Sequence, residues 1–538
     1  MSRPRLAIAI MASLVLLVSS MGGQVQAAER TPSALVRFVD LSARGAADIM
    51  NDEAPHLAVL GDDLVVCWET DYTHWANPDG TPPTEEPNNE DAQVRILHGG
   101  VWGPAVNIST QGLAIDGYAH HPRMAVYDGR LYVFWNSHAW SPNSAYSVVV
   151  RPYDPATGTW GDATRIVDTP DGGLDAGATA TVHDGLLYFA WQSVREGAMN
   201  ESGAGIEVLA RSYDGHVWGP VMPVSQGVKG PDTEPSLASV GGVLHAAWMH
   251  DDPVHPGNAD IWWSSLLPNG SWAAPTPDLG FGDLRNDKKA NLIVWGDSLA
   301  LLWEADGFTP RGEVFSDIVL RLYSGGAWGA AVQVSPTDRY AGNNVPAGAV
   351  YRDRLYVAWS SNDDSLALGN DTDIVMRDYD GERLGAIVAL SPDDTWMEGH
   401  PSDDGAVDLA VYNGSLYAAW DAIFSPVIDG LEKDVLLRYV GYDYDGDGHD
   451  DGVDAVPTDP AEWQDSDGDG HGDLSDAYPN DPLRWEKETD GGGGGDGGGI
   501  PTATVMAVVA AAVVVVLVAA IVYLARSRPP RKGADEPG

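Results

Sequence analysis

The chain has 538 residues and sets 31 Lys+Arg against 78 Asp+Glu, a formal net charge of −47. Apolar residues make up 44% and charged residues 20%, so a large core is affordable and wholesale disorder is excluded. The acidic balance excludes nucleic acid as a partner, because phosphate binding needs clustered Lys and Arg. The single cysteine, Cys67, excludes both a disulfide framework and a multi-cysteine zinc site.

Residues 1–27 read as a secretory signal peptide. Arg3 and Arg5 precede the apolar run Leu6–Met21, and Val25-Gln26-Ala27 offers small residues for cleavage after Ala27. An uncleaved anchor helix is the alternative.

Residues 31–441 carry a seven-fold repeat. Its units end at Trp68, Trp135, Trp191, Trp248, Trp303, Trp359 and Trp420, and Leu stands four residues before each: Leu64, Leu131, Leu187, Leu244, Leu299, Leu355 and Leu416. Ten residues before the Trp comes Ala58, Ala125, Ala238, Ala349 or Ala410, with Thr181 and Ile293 as exceptions. Turns such as Asp128-Gly129 and Asn413-Gly414 lie between, and these dipeptides accept positive φ cheaply in tight hairpins. A second hairpin follows. Its first strand reads Asp91-Ala-Gln-Val-Arg95, Glu207-Val-Leu-Ala-Arg211, Asp317-Ile-Val-Leu-Arg321, Asp373-Ile-Val-Met-Arg377 or Asp434-Val-Leu-Leu-Arg438. A turn with Trp102, Trp160, Trp218, Trp272 or Trp328 leads to a short strand ending near Ser, as in Val332-Gln-Val-Ser335. Four strands per unit, repeated seven times, predict an all-β fold, a seven-bladed β-propeller. The seventh unit runs out after Asp434–Tyr439, while Leu35–Ser42 stands alone as a fourth strand. Their pairing closes the ring and removes two exposed edges.

The blades resemble the sialidase-like propellers, and Ser212-Tyr-Asp214-Gly215-His-Val-Trp218 is one residue short of the Asp box of that group. The resemblance covers about 35–439. It implies an architecture, and an activity only if a site is present: three arginines for a carboxylate, a Tyr–Glu nucleophile pair and an Asp acid. The arginines here recur with the repeat (Arg95, Arg151, Arg211, Arg321, Arg377 and Arg438), as packing features do. Arg123 is a lone candidate without two partners. The acids four residues before the recurring arginines read as inter-blade salt bridges. No catalytic residue is assigned.

The loops after each Leu…Trp strand, and those entering each unit, share one face. They hold the candidate ligand-binding residues Trp75, His138, Trp140, His250, Asp251, Asp252, Trp396, His400, Asp403 and Asp404. Exposed Trp beside acids and His can stack on sugar rings and bond hydroxyls. His120-His121 and His400 lack metal-ligand spacing and read as surface histidines. Cys67 takes a slot filled elsewhere by Phe134, Ala190, Ala247, Leu302, Ala358 and Ala419, a core position.

Residues 442–490 carry two acidic loops of twelve. The first sets Asp443, Asp445, Asp447, Asp451 and Asp454 at positions 1, 3, 5, 9 and 12; the second sets Asp465, Asp467, Asp469, Asp473 and Asp476 there. His449 and His471 supply the position-7 carbonyl, and Gly448 and Gly470 make the sharp turn. This is calcium-loop spacing, with Asp where an EF-hand has its bidentate Glu. The loops lack flanking amphipathic helices and recur around Pro457-Thr-Asp-Pro460 and Pro479-Asn-Asp-Pro482. They resemble thrombospondin type 3 repeats, here without cysteine, which implies Ca²⁺ as cofactor and a stalk ordered by metal.

Residues 491–501 form a Gly-rich linker. Within 502–525, Ala503–Ala525 carries no formal charge and is long enough to span a bilayer. Arg526, Arg528, Arg531 and Lys532 keep the tail 526–538 cytoplasmic. A C-terminal sorting signal that is cut and replaced is the alternative. The expected protein is therefore anchored in the cell membrane by one span. It displays an extracellular propeller that binds a glycan or protein ligand. A sialidase-like glycoside hydrolase and a structural envelope component are the rival expectations.

Overall fold

The computed structural model describes residues 38–42, 50–71, 90–110, 119–138, 146–167, 174–194, 205–226, 230–252, 258–277, 279, 285–308, 314–336, 341–363, 366, 372–391, 404–423 and 433–440, together with 456, 461–462, 464–466, 472–479 and 484–485. The chain divides into two units, residues 1–460 and 461–538. Among the described residues no helix is long and apolar enough to cross a membrane. The expected signal peptide, glycine linker, span and tail all lie outside them.

The first unit is seven antiparallel sheets in chain order. Blade 1 is typical: Asn51–Leu60, Asp63–Asp71 and Glu90–His98, then a fourth strand broken into Val101–Trp102 and Val106–Asn107. Blade 4 is the exception. Asp232–Val240, Val243–Asp251 and Ala259–Ser265 form three strands, and the fourth is reduced to the bridges Leu266↔Trp272 and Trp263↔Thr276. The first two strands of each blade meet in a tight turn, as at Asp128 (φ 49°) and Gly129 (φ 70°), where the Asp-Gly pair supplies the left-handed conformation a two-residue hairpin requires.

Closure follows the expected pairing. Phe38–Asp40 runs antiparallel to Lys433–Val440, with Phe38 opposite Arg438 and Asp40 opposite Leu436. Leu41 N donates to Val435 O at 2.8 Å, and Ser42 Oγ donates to Asp434 Oδ1 at 3.2 Å.

The core lies between blades. Each repeat Trp is buried in an apolar cluster shared with a neighbouring blade. Trp191 packs with Phe134, Val148 and Ile166 of blade 2, and Trp68 with Ala419, Val435 and Leu437 of blade 7. A buried indole N–H needs an acceptor. In five blades the acceptor lies sixteen residues upstream: Trp68 to Asp52 at 2.7 Å, Trp191 to Asp175 at 2.9 Å, Trp248 to Asp232 at 2.7 Å, Trp303 to Asp287 at 2.9 Å and Trp359 to Asn343 at 2.9 Å.

The recurring arginines join blades. Arg95, Arg151, Arg211, Arg321, Arg377 and Arg438 donate to the carbonyls of Leu41, Ile108, Ile166, Leu279, Val334 and Leu390, each on the outer edge of the preceding blade. Arg95, Arg151 and Arg211 also lie 5.9, 5.8 and 5.2 Å from the rings of Trp102, Trp160 and Trp218, which accounts for the Trp in the second turn. Blade 4 has Ser264 in this slot, and its hydroxyl donates to Ala273 O within the blade.

The acids four residues before these arginines bond within their own blade among the described contacts, and Asp317 also pairs with Arg285, next to the first strand of its blade, at 3.0 Å. They bond a serine of the fourth strand in their own blade: Ser109 to Asp91 at 2.8 Å, Ser335 to Asp317 at 3.3 Å and Ser391 to Asp373 at 3.1 Å. The same serines accept the N–H after each acid, as Ile374 N to Ser391 Oγ at 2.9 Å. One short hydroxyl therefore satisfies two groups at once. The Asp-containing turns of blades 3 and 6 also close alike. Asp214 accepts from the N–H of His216 and Val217, and Asp380 from Glu382 and Arg383. These backbone donors hold both carboxyls below the usual carboxylate range.

Candidate functional site: the axial cavity and its rim

In six blades the first strand bulges fourteen residues before the repeat Trp. The bulge residues Ala54, His121, Gly177, Glu234, Lys289 and Val345 all have positive φ, and the register shifts beside each. A bulge leaves a backbone N–H without its ladder partner. The residue after the Trp of the preceding blade accepts it in four cases: Glu69 from His121 N at 2.8 Å, Asn136 from Gly177 N at 3.1 Å, Gln192 from Glu234 N at 3.1 Å and Glu304 from Val345 N at 3.2 Å. Blade 4 offers Met249 there, and the bulge residue Glu234 accepts from Lys289 N at 3.2 Å instead. Blade-to-blade bonds thus run round the axis through chemically different side chains.

Inside them lies a cavity of 820 Å³, lined from all seven blades by residues that include His56, His120, Asn136, Gln192, Glu234, Lys289, Val345 and Asp408. Lys289 Nζ pairs with Glu234 at 2.7 Å across the blade 4–5 junction. His56 Nδ1 is buried without a hydrogen-bond partner, and burial pushes its imidazole down to about 4. Arg123 is the one arginine of the lining among the described residues.

His120 departs from the surface expectation; His121 fits it. The His120 side chain is only 18% exposed, against 68% for His121. Its Nδ1 lies 3.1 Å from Glu69 Oε1, and its Nε2 contacts Glu90 Oε2. Burial opposes its charge, but Glu69 and Glu90 outweigh burial and raise it. Burial, against the pull of His120, pushes the Glu90 carboxyl up to about 7.

The expected ligand-binding residues divide. His138 stands at the rim, its ring 3.6 Å from that of Tyr146, a cavity residue. His250 is turned into blade 4: it is 4% exposed, and its Nδ1 lies 2.8 Å from Asp232 Oδ1, the acceptor that also holds Trp248. It fills the slot in which Thr70 and Ser361 bond Asp52 and Asn343. Asp251 has a buried Oδ1 without a partner, and Asp252 N bonds Asn258 O at 3.0 Å. Asp404 is 4% exposed and lies sixteen residues before Trp420, the slot of Asp52 and Asp175. Trp75, Trp140, Trp396, His400 and Asp403 lie outside the described residues. Cys67 is fully buried, its Sγ 3.4 Å from Pro122 O, and burial pushes its thiol up, as the core assignment requires.

In the second unit, Ser466 donates to Asp473 through N and Oγ, both at 2.7 Å, and Leu474 N and Ser475 N donate to Glu462 at 2.8 and 3.0 Å. Asp476 accepts from Tyr478 N at 2.7 Å through Oδ1, while its Oδ2 is buried and takes no hydrogen bond. The first loop's Asp443, Asp445, Asp447, His449, Asp451 and Asp454, and Asp467, Asp469 and His471 of the second, lie outside the described residues.

No protein-family model matches the sequence, and no curated protein does. Solved structures similar to this chain include a protein of unknown function from Dyadobacter fermentans DSM 18053 (11% identity, 75% of this chain and 98% of that one, TM-score 0.43). An alpha-L-arabinanase from Penicillium chrysogenum complexed with arabinobiose is 13% identical over 59% of this chain and 92% of that one, with TM-score 0.40. The Trypanosoma rangeli sialidase in complex with the inhibitor DANA is 12% identical, with TM-score 0.38 over 60% of this chain, which spans 55% of its length. At these identities and scores no activity and no site residue is carried across.

Proposed function

We propose that this chain is a membrane-anchored surface protein whose propeller binds a glycan or protein ligand at the mouth of its axial cavity, raised on a calcium-ordered stalk. The observation that carries the reading is the cavity. Its 820 Å³ falls within the ~300–1,000 Å³ of ligand sites, and acids, amides, histidines and a lysine converge on it. A carboxylate clamp of three arginines would favour the hydrolase, and the lining supplies Arg123 alone among the described residues. A glycan-array screen of the purified protein tests the reading. Binding should be saturable and weakened in Lys289→Ala. That substitution should change stability by less than about 1 kcal/mol, because the Lys289–Glu234 pair is 46% and 33% exposed. Failure to bind any glycan or extracellular protein would favour the envelope component.

For the stalk, Asp476 supports calcium. It stands at position 12 of its loop, is 6% exposed, and keeps one buried oxygen without a donor, as a metal ligand would. Asp465, Asp467, Asp469, Asp473, the His471 carbonyl and Asp476 would hold one ion, and the equivalent residues of the first loop the other. Calcium would supply charge neutralisation, coupling binding to order. Removing calcium with chelator should open 443–490 to protease while the propeller survives. Equal cleavage with and without calcium would refute the assignment. Resistance to alkaline carbonate extraction tests the single span.

A further inference from the structure

We infer that Glu69, Glu90 and His120 form a site for one transition-metal dication of the Zn²⁺ or Mn²⁺ class, at the rim between blades 1 and 2. Each residue comes from a different strand: Glu69 follows the repeat Trp68, Glu90 opens the third strand of blade 1, and His120 opens the first strand of blade 2. One ligand atom from each lies within 4.8 Å of the other two. All three side chains are largely withdrawn from water, at 12%, 13% and 18% exposure.

Two further observations point to a cation. Glu90 Oε2 is buried and accepts no hydrogen bond, although His120 Nε2 contacts it. A buried carboxylate oxygen is costly unless something positive meets it, and the His120 ring is the group that meets this one. The second is the count of donors. A neutral imidazole has one N–H. Its two nitrogens face Glu69 and Glu90, so whichever nitrogen lacks hydrogen turns a lone pair toward a carboxylate oxygen. Such a meeting of acceptors is relieved by a second proton on the ring, which Glu69 and Glu90 favour against burial, or by a metal ion that displaces it. Asp71 and Glu53 add negative potential at Glu90 and favour the doubly charged occupant. Two carboxylates and one imidazole suit a borderline dication better than Ca²⁺, which prefers oxygen throughout. The bulge at His121 fixes the geometry, because its N–H holds the second Glu69 oxygen at 2.8 Å. The site shares no residue with the stalk loops, and it does not depend on the identity of the propeller ligand.

The test uses the full, tag-free chain in detergent, stripped of metal and then saturated with Ca²⁺ so that the stalk loops are occupied. Calorimetric titration with Zn²⁺ should show one saturable equivalent. Glu90→Gln, which keeps the shape and removes the charge, should weaken it by at least about tenfold, as should His120→Gln. Mn²⁺ bound to the unaltered protein should show electron-spin-echo coupling to one imidazole nitrogen, a readout that needs no variant to fold. No saturable binding, affinity unchanged in Glu90→Gln, or bound Mn²⁺ without nitrogen coupling would each overturn the site. Loss of glycan binding with metal binding intact would count against the ligand reading alone.

Discussion

The two ends of the propeller use the same left-handed backbone conformation in opposite ways. At the hairpin end it falls on residues that tolerate it: Gly61, Asp128-Gly129, Asp184-Gly185, Gly241-Gly242, Gly296 and Asn413-Gly414, with Arg352-Asp353 as the departure. A Cβ added at Gly61, Gly129 or Gly185 would meet nothing within 4 Å, so only backbone sterics select glycine there. At the bulge end it falls on Ala54, His121, Glu234, Lys289 and even the β-branched Val345. Left-handed backbone costs a non-glycine residue about 1–2 kcal/mol. The bulge conformation persists because neighbouring blades grip its N–H groups, as Glu304 grips Val345. Tolerated positive φ marks scaffold, and enforced positive φ marks the end that carries the cavity and the Glu69–Glu90–His120 cluster.

The largest expected effect removes the support both ends share. Deleting residues 28–45 takes away the strand opposite Lys433–Val440, the buried Leu41 and the Ser42 bonds. Stability should fall by on the order of 5 kcal/mol, read by thermal denaturation. An unchanged melting temperature would mean that closure is dispensable. A smaller effect separates the ends by pH. Burial pushes His245, with a neighbouring His183 adding to it, down to about 4, and burial pushes His56 of the cavity down to about 4 as well. The folded chain keeps both neutral while the unfolded chain takes up protons from about pH 6.5, so stability present above that pH is lost as pH falls toward 4. Glu90, raised to about 7, works the other way, since the folded state holds its proton longer. His245→Gln should therefore reduce the acid-induced loss between pH 7 and pH 5 by on the order of 2 kcal/mol, measured as the change in unfolding free energy. The smallest effect tests the comparison itself. Gly129→Val should cost about 1–2 kcal/mol, whereas Val345→Gly should gain up to about 1 kcal/mol, because only the second relieves strain already present. Equal signs in chemical denaturation would show that the two ends are not built differently.

The blade count, the strand pairs and the closing strand were legible because they rest on residue types at fixed spacing, Leu and Trp above all. The indole acceptors are legible too: Asp52, Asp175, Asp232 and Asp287 recur sixteen residues before Trp, and that spacing assigns Asp404 to the blade interior, where His250 also lies, rather than to the ligand face. The rim was not legible. Its acceptors are Glu69, Asn136, Gln192 and Glu304, and its bulges fall on six different residue types. What recurs there is a backbone N–H and a polar atom able to meet it, which no residue alphabet spells out. His120 looked like a surface residue because its partners, Glu69 and Glu90, lie on another blade.

The closing strand also sets a clock. Ser42 and Asp434 are separated by 392 positions, and their strands meet only at the seam of the ring. At roughly 5–20 residues per second of synthesis, the first strand made waits about 20–80 s for its partner. During that interval its hydrogen-bonding edge is open to other strands. Blades 1 to 6 can meanwhile assemble from nearest-neighbour contacts, so the slow, error-prone event is the final zipping of the seam rather than the making of any blade.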